Sequence, residues 1–153
     1  MAMKFDLVDG IVVSVMRGPT GDPEWGEYAR FLGDTFRKTE RSRGLMVADA
    51  GPSPTQRALL DTTVRRHSKS FRLAVVSNSA VVRGLVASMS ASAPAYRSFD
   101  PADMARALEH LDAPVQRHGA IIAQVNVWCG EIGMPQLPPV SHRSRPATSG
   151  LLR

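Results

Sequence analysis

The sequence predicts an α/β fold: a mixed, mostly parallel sheet that opens with an N-terminal β-hairpin, with helices packed on it and a C-terminal extension helix. Three observations carry this. Short apolar runs alternate with segments whose apolar residues recur every three to four positions, the signature of strand–helix–strand units. Asp9-Gly10 separates the first two apolar runs, and such a pair supplies the positive φ angles of a two-residue hairpin. Asp22-Pro23, Ser53-Pro54 and Asp100-Pro101 are helix-opening signals, with proline at a position where its missing N–H has no partner to lose.

The first strand spans residues 5–8 and the second 11–16. Ile11, Val13 and Val15 alternate with Val12, Ser14 and Met16, so both faces of the second strand are apolar or nearly so. That composition predicts a strand covered on both sides. Asp22 is expected to cap the first helix. Trp25, Tyr28, Ala29, Leu32 and Phe36 form its inward stripe. Residues 45–48 make a short central strand. Ser53-Pro54-Thr55-Gln56 is a capping-box pattern, and it opens a helix with Leu59, Leu60, Thr63 and Val64 on its apolar side. Residues 71–76 form the next strand. Ser77-Asn78-Ser79 caps a third helix, a small-residue loop covers 90–94, and a brief strand covers 96–99. Asp100-Pro101 then starts a helix with Met104, Ala105, Leu108 and Leu111 inward, which Pro114 ends.

Beyond Pro114, the residues Val115, His118, Ile122, Val125, Cys129 and Ile132 are spaced three and four apart, and Ile121 and Trp128 widen the stripe. Val125-Asn126-Val127 would also suit the start of a strand. The stripe must be buried, either by folding back on the domain or against a second subunit or partner. Ile121, Ile122, Val125 and Trp128 are therefore candidate interface residues. Residues 133–153, with Pro135, Pro138, Pro139 and Pro146 among Ser, Thr, Gly and Arg, read as a disordered basic Pro-rich tail. The expected division is an α/β domain over 1–112, an amphipathic extension over 113–132 and the tail over 133–153.

The chain has 153 residues, one domain by length, with 43% hydrophobic and 22% charged residues, as in ordinary globular proteins. The net charge of +5 is scattered, which argues against a nucleic-acid partner. Arg37, Lys38, Arg41 and Arg43 form one basic cluster, and Arg65, Arg66, Lys69 and Arg72 another. Both fall at expected helix C-termini, where cations complement the helix dipole; the alternative is an anion-binding face. The single cysteine, Cys129, suits a reducing compartment. With no apolar leader and no transmembrane segment, the expected localisation is cytoplasmic.

The element order, the hairpin start, the strand–turn–helix junctions at residues 45–57 and 74–84 and the Asp100-Pro101 helix start resemble the STAS domain family. That grouping comprises SpoIIAA-like anti-sigma-factor antagonists and SEC14-like lipid-binding proteins. The resemblance covers about residues 3–111. It implies a bacterial-type cytosolic regulatory or scaffolding protein acting by protein–protein interaction, in the antagonist branch by partner switching. It also implies a phosphorylatable serine at the start of the second helix, and the nearest position is Ser53. The alternative within the resemblance is a module binding a lipid or small apolar ligand.

The residues themselves add a candidate ligand or partner edge at Asp49, Ser77, Asn78 and Ser79, because crevices outside the carboxyl ends of parallel strands are where ligands bind. Ser53 also reads as a plain helix cap. No nucleophile–base set is visible, and His67, His110, His118 and His142 have no metal-ligand spacing. The loop Gly18-Pro19-Thr20-Gly21-Asp22 has no G-K-[ST] ending. A non-enzymatic protein without cofactor or metal is expected, with a protein partner or self-association.

Overall fold

A computed structural model describes residues 3–67, 70–90 and 95–139. The strands are β1 (Met3–Val8), β2 (Ile11–Met16), β3 (Ser42–Ala48), β4 (Phe71–Val76) and β5 (Tyr96–Phe99). The helices are α1 (Asp22–Phe36), α2 (Pro54–His67), α3 (Ala80–Ser90), α4 (Met104–His110) and α5 (Val115–Ile132), with a 3₁₀ turn at Pro101–Asp103 before α4. The five strands lie in the order β1-β2-β3-β4-β5. β1 runs antiparallel to β2, and the other three pairings are parallel. The protein is thus α/β with a mostly parallel sheet and an N-terminal hairpin edge. Asp9 (φ 51°) and Gly10 (φ 78°) both adopt positive φ, the turn expected of that dipeptide.

Every residue of β2 is buried. Its alternating side chains enter two separate cores. Val12 and Met16, with Met46 and Val75, pack under Trp25, Leu32, Leu60 and Val86 of α1, α2 and α3. Ile11, Val13 and Val15, with Leu45, Val47, Ala74 and Val76, pack under Met104, Leu108, Ile121, Val125 and Cys129 of α4 and α5. The result is three layers, helices on each side of one sheet.

The fate of the C-terminal stripe corrects the expected organisation. α5 packs on β1, β2 and α4. Ile121, Ile122 and Val125 are buried within the single chain, and Trp128 packs partly buried against the same core. Ile121, Ile122 and Val125 are therefore taken up by the chain's own core; the stripe takes the fold-back alternative, because the rear of the sheet would otherwise stay wet. The segment starting at Val125 is helix, not strand. The boundary at 112/113 is not a domain boundary, since Leu111, Ala113 and Ile121 share one core. At the hairpin, Lys4 Nζ lies 3.2 Å from Glu131 Oε2, and Arg117 pairs with Asp9.

The described start of the tail is ordered too. Gly133 (φ 75°) ends α5, Met134 N–H donates to Cys129 O (2.8 Å), Leu137 N–H donates to Asn126 Oδ1 (2.8 Å), and the Leu137 side chain is buried. Residues 140–153, the rest of the expected tail, lie outside the described residues.

Two helix starts differ from expectation. Asp22 is not the cap of α1; Gly21 holds that position with no side-chain cap, and Asp22 Oδ1 instead accepts from Gln56 Nε2 (2.9 Å). The Asp100 cap is present, accepting from Ala102 N–H (2.9 Å), but it opens the 3₁₀ turn.

Ile121 is fully buried where α5 meets the sheet. Ile121→Ala is expected to lower unfolding stability by about 2–5 kcal/mol, read from urea denaturation midpoints. Both tyrosines are buried. Burial first, against a Ser14 hydrogen bond, pushes the Tyr28 phenol up to about 12, and burial with the nearby Asp61 carboxylate does the same to Tyr96. The native state therefore holds these protons more tightly than the unfolded chain. Stability is expected to fall as pH rises from 10.0 towards about 12, with no native phenolate absorbance at the ordinary tyrosine value. A phenolate signal at that ordinary value in folded protein would contradict the packing.

Candidate functional site

The parallel strands β2 to β5 end along one rim of the sheet, where the loops lead into α1, α2, α3 and the 3₁₀ turn. Asp49, Ser53, Ser77, Asn78 and Ser79 all lie on this rim. Val47 and Val76 are registered neighbours, so the 49–53 and 77–79 turns leave adjacent strands.

The structure assigns most of these polar groups to local work. Asp49 Oδ1 accepts from Gly18 N–H (2.5 Å), tying the loop after β2 to the loop after β3. Ser53 and Gln56 form the reciprocal capping box: Gln56 N–H donates to Ser53 Oγ and Ser53 N–H donates to Gln56 Oε1, each at 3.1 Å. Ser77 Oγ accepts from Ser79 N–H (3.1 Å), and Ser79 Oγ caps α3 by accepting from Val82 N–H (3.3 Å). Asn78 is exposed, and no hydrogen bond joins the Asp49 turn to the serine turn among the described residues. The predicted edge is one place, but its side chains do not converge on one point.

Gln56 is the residue that sequence reasoning under-read. It is 6% exposed, a buried polar side chain. Besides the capping box, its Nε2 donates to Thr20 O (2.7 Å) and Asp22 Oδ1 (2.9 Å), while its backbone carbonyl accepts from Trp25 Nε1 (2.9 Å). One amide thus joins the loop before α1, the start of α1 and the start of α2. The capping-box pattern marked Gln56 as a cap; its long-range partners have no local signal.

Beneath the rim, between the sheet and α1 to α3, lies an apolar cavity of about 30 Å³. Trp25, Met46, Leu60, Val75, Val86 and Met89 line it, and Gly51, Pro52 and Leu85 stand at its mouth. A Cβ on Gly51 would come within 3.0 Å of Leu85 Cδ2, so loop and helix are in close contact there. The space matches about one water molecule, and an apolar lining leaves such a space dry.

Other candidates have structural roles. Cys129 is buried and burial pushes its thiol up, which opposes the thiolate form. Among the described residues no three His, Cys, Asp or Glu side chains gather around a metal-sized space. No described helix is long and apolar enough to cross a membrane. The basic clusters are not simply helix ends. The last turn of α2 does carry Arg65 and Arg66, but that of α1 has no cation, Arg43 lies inside β3, and Arg72 lies inside β4.

No protein-family model matches the chain, and no curated protein matches its sequence.

Ser53→Ala removes one arm of the capping box and is expected to cost about 1 kcal/mol. Gln56→Ala removes the other arm, accepted by its Oε1, and strips Thr20 O and Asp22 of their partner, so it is expected to cost about 2–3 kcal/mol more than a surface change. Denaturant midpoints of the two variants check the order; equal losses would mean that the long-range bonds of Gln56 contribute nothing.

Proposed function

We propose that this chain is a STAS-like regulatory or scaffolding domain that acts by protein–protein contact at the strand-end rim. The observation that carries this reading is a rim whose polar groups, the exposed Asn78 apart, are already bonded and which carries a highly exposed apolar side chain. Val81, in the first turn of α3, is 83% exposed. Leu85, four residues on, shares its helix face and meets the 51 loop. Val81, Leu85 and Pro52 thus make an apolar ridge beside the exposed Asn78. Such a ridge on a braced scaffold suits recognition of another protein surface. It presents no acid–base or nucleophilic set.

Ser53 serves this reading as the cap of α2. The family pattern places serine between an acidic residue and glycine, whereas Ser53 stands between Pro52 and Pro54. A phosphate there would sit favourably at a helix N-terminus and would change the rim's charge. The second reading, a module for a lipid or small apolar ligand, draws on the dry cavity under the same rim. At about 30 Å³ that cavity holds no acyl chain unless α3 and the 49–53 loop part.

Val81→Asp tests the proposal, since an exposed substitution leaves stability within about 0.5 kcal/mol. Association, read by sedimentation velocity over a concentration series and by pull-down from the source cytosol, is expected for the native chain and lost in the variant. Identical profiles for the two proteins would sink the proposal. Native mass spectrometry of the same sample would support the second reading if a co-purified apolar ligand stayed bound.

A further inference from the structure

The opposite rim, where β3 and β4 begin, gathers positive charge around a hollow. Arg41 directly precedes β3, and Arg43 and Arg72 are registered partners across the β3–β4 ladder. With Ser42, Ser70 and Asp112, these three arginines line an open pocket of about 260 Å³.

Part of the arginine chemistry is already used. Arg43 Nη1 donates to Leu111 O (2.9 Å) and Asp112 O (3.3 Å). Arg72 Nη1 donates to His110 O (3.1 Å) and to Asp112 Oδ2 (3.3 Å). These bonds satisfy the carbonyls at the end of α4. They leave much unmet. Arg43 Nε is buried without an acceptor among the described residues. Arg41 forms no ion pair among the described residues. Three guanidinium groups thus face one carboxylate. Burial, then the neighbouring Arg41 charge, hold Arg43 below the ordinary guanidinium value, with Asp112 opposing. Two cations repelling each other in a hollow are stabilised by an anion between them, and guanidinium donors match a tetrahedral oxyanion.

We propose that this pocket binds a phosphate group, either inorganic phosphate or the phosphoryl end of a small soluble molecule, through Arg41 and Arg43 with Arg72 at its side. The recess suits a compact anion. Asp112 at its wall disfavours a broad polyanionic surface such as a lipid bilayer. The proposal stands on the β3–β4 entry rim alone and does not depend on the protein-contact reading of the opposite rim.

The full chain, isotope-labelled, is titrated with inorganic phosphate and separately with glycerol phosphate, with chloride at matched ionic strength as control, and followed by amide NMR. Saturable shifts confined to residues 41–43, 70–72 and 112 are expected. Arg41→Gln, an exposed residue, should keep the native spectrum and weaken phosphate binding roughly tenfold, the loss expected for one charge-assisted contact. Arg65→Gln, outside the pocket, should leave it unchanged. Tighter binding of glycerol phosphate than of phosphate identifies a small phosphorylated molecule as the source, and equal binding identifies free phosphate. Unsaturable shifts, equal displacement by chloride, an Arg41→Gln variant that binds like the native chain, or binding to anionic vesicles without binding to phosphate would each overturn the proposal.

Discussion

Everything in this molecule follows from a sheet whose central strands are apolar on both faces. The strands of the parallel stretch follow one another in sequence order, β2-β3-β4-β5. With crossovers of one hand, every connecting helix falls on the same side. α1, α2 and α3 accordingly cover the face holding Met46 and Val75. The other face, with Val13, Val15, Leu45 and Val47, receives nothing from those crossovers. Burying it requires chain from beyond β5, and α4 and α5 supply it. The C-terminal helix is therefore part of the domain and of its core.

Closing the two layers leaves helix ends that need polar partners, and side chains distant in sequence reach across the chain to provide them. Arg17 Nη1 donates to Ile132 O at the end of α5 (3.1 Å), and Arg43 and Arg72 do the same for α4. At the helix starts, Gln56 links α1 to α2. The functional consequence is an asymmetry between the rims. The strand-end rim is neutralised by its own caps and shows an apolar ridge. The strand-start rim keeps cationic groups in excess of carboxylates, around a hollow. The two surfaces suit chemically different occupants.

Much of the fold was legible because its signals are local. Asp9-Gly10 encodes its own turn through φ, and the Ser53–Gln56 box encodes its own cap through bonds spanning three residues. The bounds of β2, β4, β5 and α5 follow from apolar spacing between strong breakers. The errors arose where a residue had a distant competitor. Asp22 has every local feature of a cap, yet its carboxylate meets the Gln56 amide contributed by another helix. Arg43 looked like part of a helix end, yet it lies in β3 and meets the end of a helix 68 residues away in sequence.

The candidate rim was legible as a place, since strand ends followed by capping serines announce it. Its chemistry was not, because whether Asp49 is free to bind depends on the Gly18 N–H, 31 residues away and brought close only by folding. Local sequence was enough for the order of the elements, the hairpin and the caps at Ser53, Ser79 and Asp100, all consequences of backbone sterics and side-chain periodicity over a few residues. Folding alone makes the C-terminal stripe core, joins two helices through Gln56 and sets Arg41, Arg43 and Arg72 around one hollow. Those outcomes depend on which surfaces meet, and a period of apolar residues says that a face must be buried without saying against what.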